Sequence, residues 1–158
     1  MAEEQFPNVY KVMDHYGEDV VNEMENILNQ AKRRATGRLI NSLDYDVDEL
    51  GEGKFELTVE YESYGKYVES GRRAGAKQPP TKEIEKWLQV KRYTARKGKD
   101  IKSTAYVIAK AIKQKGIKPV NFNKPWTDLK SSSDFQNDIF EAYKKDVELQ
   151  LQKTMNNK

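Results

Sequence analysis

Few residues of this chain are of the kinds that do chemistry, and their spacing matches no catalytic or metal-binding pattern. His15 is the only histidine, so the commonest general acid–base residue is nearly absent. The stretch "DYDVDELGE" (44–52) begins like a calcium-binding loop, but Glu49 stands where such a loop needs glycine and Phe55 where it needs a bidentate glutamate. The stretch "GRRAG" (71–75) lacks the Lys-Ser/Thr of a Walker phosphate loop. We therefore predict no enzymatic activity and no bound metal or cofactor.

Length and composition favour one soluble domain. The chain has 158 residues, 34% of them charged, and it has no cysteine, so disulfides and thiolate metal sites are excluded. No apolar run approaches the roughly 20 residues of a membrane span, and the N-terminus has no signal-peptide character. We expect a protein made in a cytoplasm, without membrane association, that has a flexible arm over residues 1–15 and a single domain over residues 16–158.

Charge is distributed unevenly along the chain. Residues 1–71 hold 7 Lys and Arg against 16 Asp and Glu, whereas residues 72–118 hold 15 against 3. Residues 119–158 hold 6 of each, so the net charge of +3 conceals an acidic first part and a basic middle. Such asymmetry indicates a charged partner, or further copies of the same chain.

Hydrophobic periodicity predicts an α+β fold. Apolar residues recur at three- and four-residue steps over 18–41, 81–91, 103–115 and 134–155, which predicts four helices. Alternation of apolar and acidic residues over 43–61 predicts an antiparallel β-hairpin. In this fold a long N-terminal helix and the hairpin, or a small sheet, pack with two or three further helices, including a long C-terminal helix.

The predicted hairpin has one apolar and one acidic face. Asp44, Asp46 and Asp48 alternate with apolar residues on the first strand, as Glu60 does on the second. Because successive residues of a strand point to opposite faces, we expect these four carboxylates to share one solvent-facing surface.

A basic loop lies further along the chain, over residues 71–80. Its double proline favours an extended backbone, so we expect it to stand out as a stiff basic arm.

The basic middle of the chain allows three interpretations: a solvated surface, a nucleic-acid contact, or a surface complementary to the acidic hairpin of a neighbouring copy. Nucleic-acid binding would use aromatic residues among the cations. Trp87 and Tyr106, however, have the helical spacing of core residues, which leaves Tyr93 for stacking. Opposite charges on two patches favour head-to-tail contacts, which close into rings when the rotation allows. The candidate contact residues are Arg72, Arg73, Lys77, Arg92, Arg96, Lys97 and Lys99.

Four stretches, taken in order, resemble one family of proteins. They are "TGRLINSL" (36–43), "YGKYVESG" (64–71), "PPTKEIEKWLQVK" (79–91) and "TAYVIAKAIKQKGIKPVNF" (104–122). In this order they are similar to the tail-completion or neck proteins of tailed bacteriophages, minor tail components that help to join head to tail. The similarity covers roughly residues 35–122 and continues loosely into the last helix.

This resemblance implies an α+β virion structural protein without enzymatic activity, which assembles as an oligomeric ring at the head–tail junction around the DNA channel. The implied partners are copies of this chain and other neck, portal or tail proteins. They include the packaged double-stranded DNA if the basic residues face the channel. The residues that match the family's motifs, mostly fold-making ones, are Gly37, Ser42, Tyr67, Glu69, Gly71, Trp87, Gly116 and Pro119. The alternative function is a non-enzymatic DNA-binding protein that uses residues 72–118.

Overall fold

The chain combines helices with one two-stranded antiparallel sheet, which confirms the predicted α+β class. A computed structural model describes residues 5–31, 36–62, 65–90 and 100–156. In chain order the elements are α1 (Pro7–Gln30), α2 (Thr36–Asn41), β1 (Asp44–Gly51), β2 (Lys54–Glu60), α3 (Gly65–Ser70), α4 (Thr81–Val90), α5 (Ile101–Lys115), α6 (Lys124–Leu129) and α7 (Ser133–Asn156).

The presence of a long first helix, a long last helix and the hairpin between them is confirmed, although the first helix has other bounds. The described residues form seven helices, which is more than the sequence predicted. Helix α2 lies within the predicted first helix, whereas α3 and α6 fall outside the four predicted ranges. Each of the three has six residues, fewer than two turns, which is too short to show a periodic hydrophobic pattern of its own.

The chain forms two compact units, and the two units carry opposite net charges. The acidic unit, Met1–Gly65 with Asn121–Lys158, holds 12 Lys and Arg against 21 Asp and Glu. The basic unit, Lys66–Val120, holds 16 against 4. Most of the acidic stretch and all of the basic stretch of the sequence therefore belong to different compact units. Because this division concerns contacts alone, the single domain expected over residues 16–158 stays a prediction.

The first helix begins earlier and ends earlier than the sequence predicted. It starts at Pro7, and Val9 is fully buried, so the flexible arm expected over residues 1–15 is wrong from residue 7 onward. Proline suits the first turn of a helix because its missing N–H would have no intrahelical partner there. The helix ends at Gln30 and α2 is a separate helix, while residues 32–35 lie outside the described residues.

Helices α1 and α7 pack in antiparallel directions and form the frame of the acidic unit. The side chains of Asn8 and Tyr16 on α1 bond to Asp146 and Asp138 on α7, respectively. Their buried apolar faces, together with residues of α2, the hairpin and the α6 region, form the core of the unit. Its buried hydrophobic residues are Val9, Met13, Val20, Val21, Met24, Leu28, Leu39, Leu43, Leu57, Phe122, Leu129 and Ala142.

Two tyrosines bond to carboxylates within this frame. The Tyr16 hydroxyl donates to Asp138 Oδ2 over 2.6 Å, and the Tyr45 hydroxyl donates to Asp14 Oδ1 over 2.9 Å. The bond to Asp138, with some burial, raises the pKa of Tyr16 to about 12. Burial, followed by the bond to Asp14, raises the pKa of Tyr45 to about 12. In both cases the hydrogen bond and the burial favour the neutral phenol, and ionisation would also place a second negative charge beside the carboxylate.

These pKa values predict a loss of stability at high pH. The folded chain holds both protons more tightly than the unfolded chain, whose tyrosines titrate near the ordinary value of about 10. The stabilisation is therefore complete below pH 10 and is lost as the pH rises through 12. In a titration of tyrosinate absorbance, Tyr16→Phe and Tyr45→Phe should each remove one of nine tyrosines from the late-titrating fraction. Loss of absorbance from the early fraction instead would contradict the assignment.

The basic unit has its own small core between α4 and α5. Ile84 and Leu88 on α4 pack with Ala105 and Ala109 on α5. The partly buried residues that surround this cluster are Trp87, Ile101, Ile108 and Ile112. The α5 helix begins two residues before the predicted Ser103, because the Asp100 side chain caps it by accepting from Ser103 N over 2.7 Å.

Among the described residues, no helix is long and apolar enough to cross a membrane.

Candidate interaction surfaces

The hairpin presents the predicted acidic surface. In β1 exposed and half-buried residues alternate, so Asp44, Asp46 and Asp48 point to solvent while Tyr45 and Val47 point inward. The antiparallel register is that expected from the apolar alternation and adds Glu56 to the same face as Glu60. We call these five carboxylates the acidic face; its members are Asp44, Asp46, Asp48, Glu56 and Glu60.

Like charges stand directly opposite each other on the acidic face. The register pairs Asp44 with Glu60 and Asp48 with Glu56, while Asp46 lies opposite Thr58. Directly opposed like charges destabilise an antiparallel pair. Within the described ranges, none of these carboxylates is in an ion pair with Lys or Arg. Cations from a partner would therefore relieve a repulsion that is built into the sheet.

The 71–80 loop is bound to its own unit over its first half, and the prediction that it stands out as a stiff arm is wrong there. Arg72 and Ile117 exchange two backbone hydrogen bonds of 2.7 Å each. The backbone N–H of Gly75 also donates to the Lys113 carbonyl over 2.7 Å. These bonds attach the loop to the C-terminal end of α5 and to the segment that follows it. The Lys113 carbonyl is among the last four of the helix, which have no intrahelical partner and are satisfied by other donors.

The three cations of this loop differ in their availability. The Arg72 guanidinium donates to the Lys77 carbonyl of the same loop, and its Nε is buried. The side chains of Arg73 and Lys77 are exposed. Arg72 therefore serves the conformation of the loop, whereas Arg73 and Lys77 are free to meet a partner. The predicted contacts in the linker, Arg92, Arg96, Lys97 and Lys99, lie outside the described residues, as does Tyr93.

Two glycines of the motif positions have a clear structural reason. Gly71 and Gly116 have φ angles of 63° and 70°, in the left-handed region that L side chains rarely adopt. A Cβ on Gly71 would lie 2.5 Å from the Ile117 carbonyl oxygen, and one on Gly116 would lie 2.4 Å from the Arg72 carbonyl oxygen. Because both contacts are to backbone, the two chain segments could approach each other this closely only at glycines.

The other motif residues have mixed roles. The Ser42 hydroxyl donates to the Leu39 carbonyl over 2.8 Å and accepts from Glu62 N over 3.0 Å, which connects α2 to the end of β2. Trp87 packs against the core of the basic unit, as predicted. A Cβ on Gly37 would meet no atom within 4 Å, and nothing in the structure explains a glycine there. Glu69 is half-buried; the remaining two residues, Tyr67 and Pro119, are exposed.

A cationic face on α5 was missed by the sequence reasoning. Tyr106, expected in the core, has 54% of its surface exposed. It lies between Lys102 and Lys110, and all three are exposed together with Lys113. We call these four residues the α5 cationic face. Their spacing of four, four and three residues is that of one helix face, so the signal was present in the sequence.

The structure adds no catalytic constellation among the residues it describes. His15 is exposed and its Nε2 lies 3.4 Å from Asp19 Oδ2, four residues later on the same helix. Within the same residues, no group of three or more His, Cys, Asp or Glu is arranged to hold a metal ion. The surface features with the strongest chemistry are therefore the acidic face and the α5 cationic face.

Comparisons with known proteins found no match for this chain. No protein-family profile, no curated protein and no solved structure matches it. The function is therefore argued from the charges and contacts of the chain itself, together with the order of its sequence motifs.

Proposed function

We propose that this chain is a virion structural protein of a bacteriophage neck, in which copies form part of a ring that joins head or portal to tail around the DNA channel. The proposal combines the order of four sequence motifs with the separation of charge between the acidic and basic units. It places the protein at the neck and tail junction, as a component that acts by binding.

The separation of charge is the observation that carries the proposal. The acidic unit has 9 more Asp and Glu than Lys and Arg, and the basic unit has 12 more Lys and Arg than Asp and Glu. Two different, oppositely charged patches on one chain favour heterologous contacts, in which each copy uses one patch toward each neighbour. Such contacts form a ring when the rotation between copies closes, and many weak interfaces then add together.

The second candidate function is a free DNA-binding protein. The exposed Tyr106 among lysines favours it, because an aromatic side chain among cations can stack on bases while the cations contact phosphates. This function predicts an affinity that falls steeply with salt, with a slope of about −0.9 per neutralised phosphate. A flat dependence of DNA affinity on salt would exclude it.

Electron microscopy of particles from a phage that encodes this chain, with its gene disrupted, tests the proposal. We expect DNA-filled or leaking heads beside unattached tails, and joined particles again when the wild-type chain is supplied from a plasmid. Normal, joined particles from the disrupted phage would contradict the neck assignment. The DNA-binding function would then be examined by the salt titration.

A further inference from the structure

The α5 cationic face is a continuous positive surface along one side of the helix. Lys102, Tyr106, Lys110 and Lys113 fall within an arc of about 80° when successive residues turn by about 100°. No Asp or Glu occurs in α5, and within the described part of the chain none of its lysines is in an ion pair. The core of the basic unit packs against a different side of the helix, through Ala105 and Ala109, so this face is available to a partner.

The dimensions of the acidic face match those of the α5 cationic face. Asp44 and Asp48 are four residues apart on β1, which separates them by about 13 Å at about 3.3 Å per residue. Lys102 and Lys110 are about 12 Å apart along the axis of α5, at about 1.5 Å per residue. A helix laid along the strand could thus place a lysine near each end of the carboxylate row, with Tyr106 between them.

We propose that the α5 cationic face docks on the acidic face of a second copy of this chain. Lys102 and Lys110 would each lie near one of the two like-charge pairs of the hairpin and relieve its repulsion. The inference deepens the proposed function by naming the surface of each copy that meets the next. It assigns this contact to α5, which presents three exposed lysines on one helix face, rather than to the 71–80 loop, in which two cations are exposed and Arg72 donates to the backbone of its own loop.

Charge reversal on each side separately is the test. The α5-reversed variant carries Lys102→Glu and Lys110→Glu, and the hairpin-reversed variant carries Asp44→Lys and Asp48→Lys. Each purified full-length variant alone should associate roughly a hundredfold more weakly than wild type in sedimentation velocity, because like charges now face each other. A one-to-one mixture should recover association, since both kinds of contact between the two variants again join opposite charges.

A variant with all four reversals supplies a further check. It should associate by itself, because its acidic helix face and its basic hairpin are again complementary. Lys82→Glu with Lys86→Glu on α4 is the matched control: it changes the charge of the same unit by the same amount, and both lysines are exposed. This control should associate within about threefold of wild type if position rather than total charge decides.

Failure of the inference and failure of the proposed function are distinguishable. If wild type associates and the α5-reversed variant associates equally well, the docking site is wrong. The neck assignment is then tested separately, by electron microscopy of particles from the phage with the disrupted gene. If neither wild type nor the mixture associates at any concentration reached, the docking is overturned as well. If the α5-reversed variant assembles normally but loses salt-dependent affinity for double-stranded DNA, the face is a nucleic-acid surface, and the proposal is again wrong.

Discussion

Asp146→Ala is expected to lower the free energy of unfolding by about 3 kcal/mol, measured by urea denaturation followed by circular dichroism. Asp146 has no exposed surface, although it has a polar carboxyl side chain and lies in the middle of α7. Its carboxylate accepts from Asn8 N, from Asn8 Nδ2 over 2.6 Å and from Val9 N over 2.9 Å. The substitution leaves the buried Val9 N–H and the partly buried donors of Asn8 without an acceptor, and that loss is the source of the large effect.

The backbone N–H groups at the N-terminus of α1 depend on this carboxylate for a hydrogen-bond acceptor. The N-cap residue, Phe6, has no side chain that can accept a hydrogen bond, and the first turn contains no acid. Pro7 has no N–H, and Tyr10 N donates to the Phe6 carbonyl over 3.0 Å. The two remaining N–H groups, those of Asn8 and Val9, donate to Asp146, which lies 138 positions from Asn8 and takes the place of a local cap. Its position also suits the positive N-terminal end of the helix dipole.

Asp138→Ala is the control for this prediction. Asp138 lies on the same helix and also bonds to α1, through the Tyr16 hydroxyl, but its side chain is exposed. It should cost no more than about 1 kcal/mol, because water replaces the lost partner. Asp146→Asn should fall between the two, since one oxygen remains while the new amide group faces N–H donors. Equal costs for Asp146→Ala and Asp138→Ala would contradict the role of burial.

Phe122→Ala is expected to lower the free energy of unfolding by about 3–5 kcal/mol. Phe122 has no exposed surface, and its ring meets the edge of Tyr61 with the centroids 5.2 Å apart. Tyr61 in turn lies so close to Gly65 that a Cβ there would be 2.5 Å from the ring. Because Tyr61 is held on that side, we expect little collapse into the space left by Phe122, and a residual cavity adds to the lost transfer energy.

Thermal unfolding supplies the measurement for Phe122→Ala. For a chain of this size, a loss of about 3–5 kcal/mol corresponds to a fall of roughly 10 °C in the midpoint. Phe140→Ala is the matched control, because Phe140 is 67% exposed in the same unit, and its midpoint should stay within about 2 °C of wild type. A Phe122→Ala midpoint as high as that of the control would show that the site collapses and closes the cavity.

The elements with a strong local pattern could be predicted from the sequence. The period of two over the hairpin correctly placed the acidic face, because alternate residues along a strand point to the same face of the sheet. The apolar spacing of α4, α5 and α7 likewise gave their extents to within about two residues. Periodicity is a property of one element and needs no knowledge of its neighbours.

The tertiary structure alone decided the residues whose roles depend on a partner far along the chain. Phe122 lies in a stretch without periodicity, yet it is a core residue. Asp146 follows Ala142 at the spacing of the packed face of α7, where a carboxylate would be costly if the start of α1 did not lie beside it.

For the charged surfaces, too, the sequence determined some properties and the tertiary structure decided the others. The sequence by itself determined that acidic and basic residues are separated, and that the hairpin carries its acids on one face. It could not show that Arg72 binds the backbone of its own loop, or that Tyr106 points outward among lysines. Composition specifies which charges a chain carries, but their availability to a partner depends on which of them the fold has already engaged.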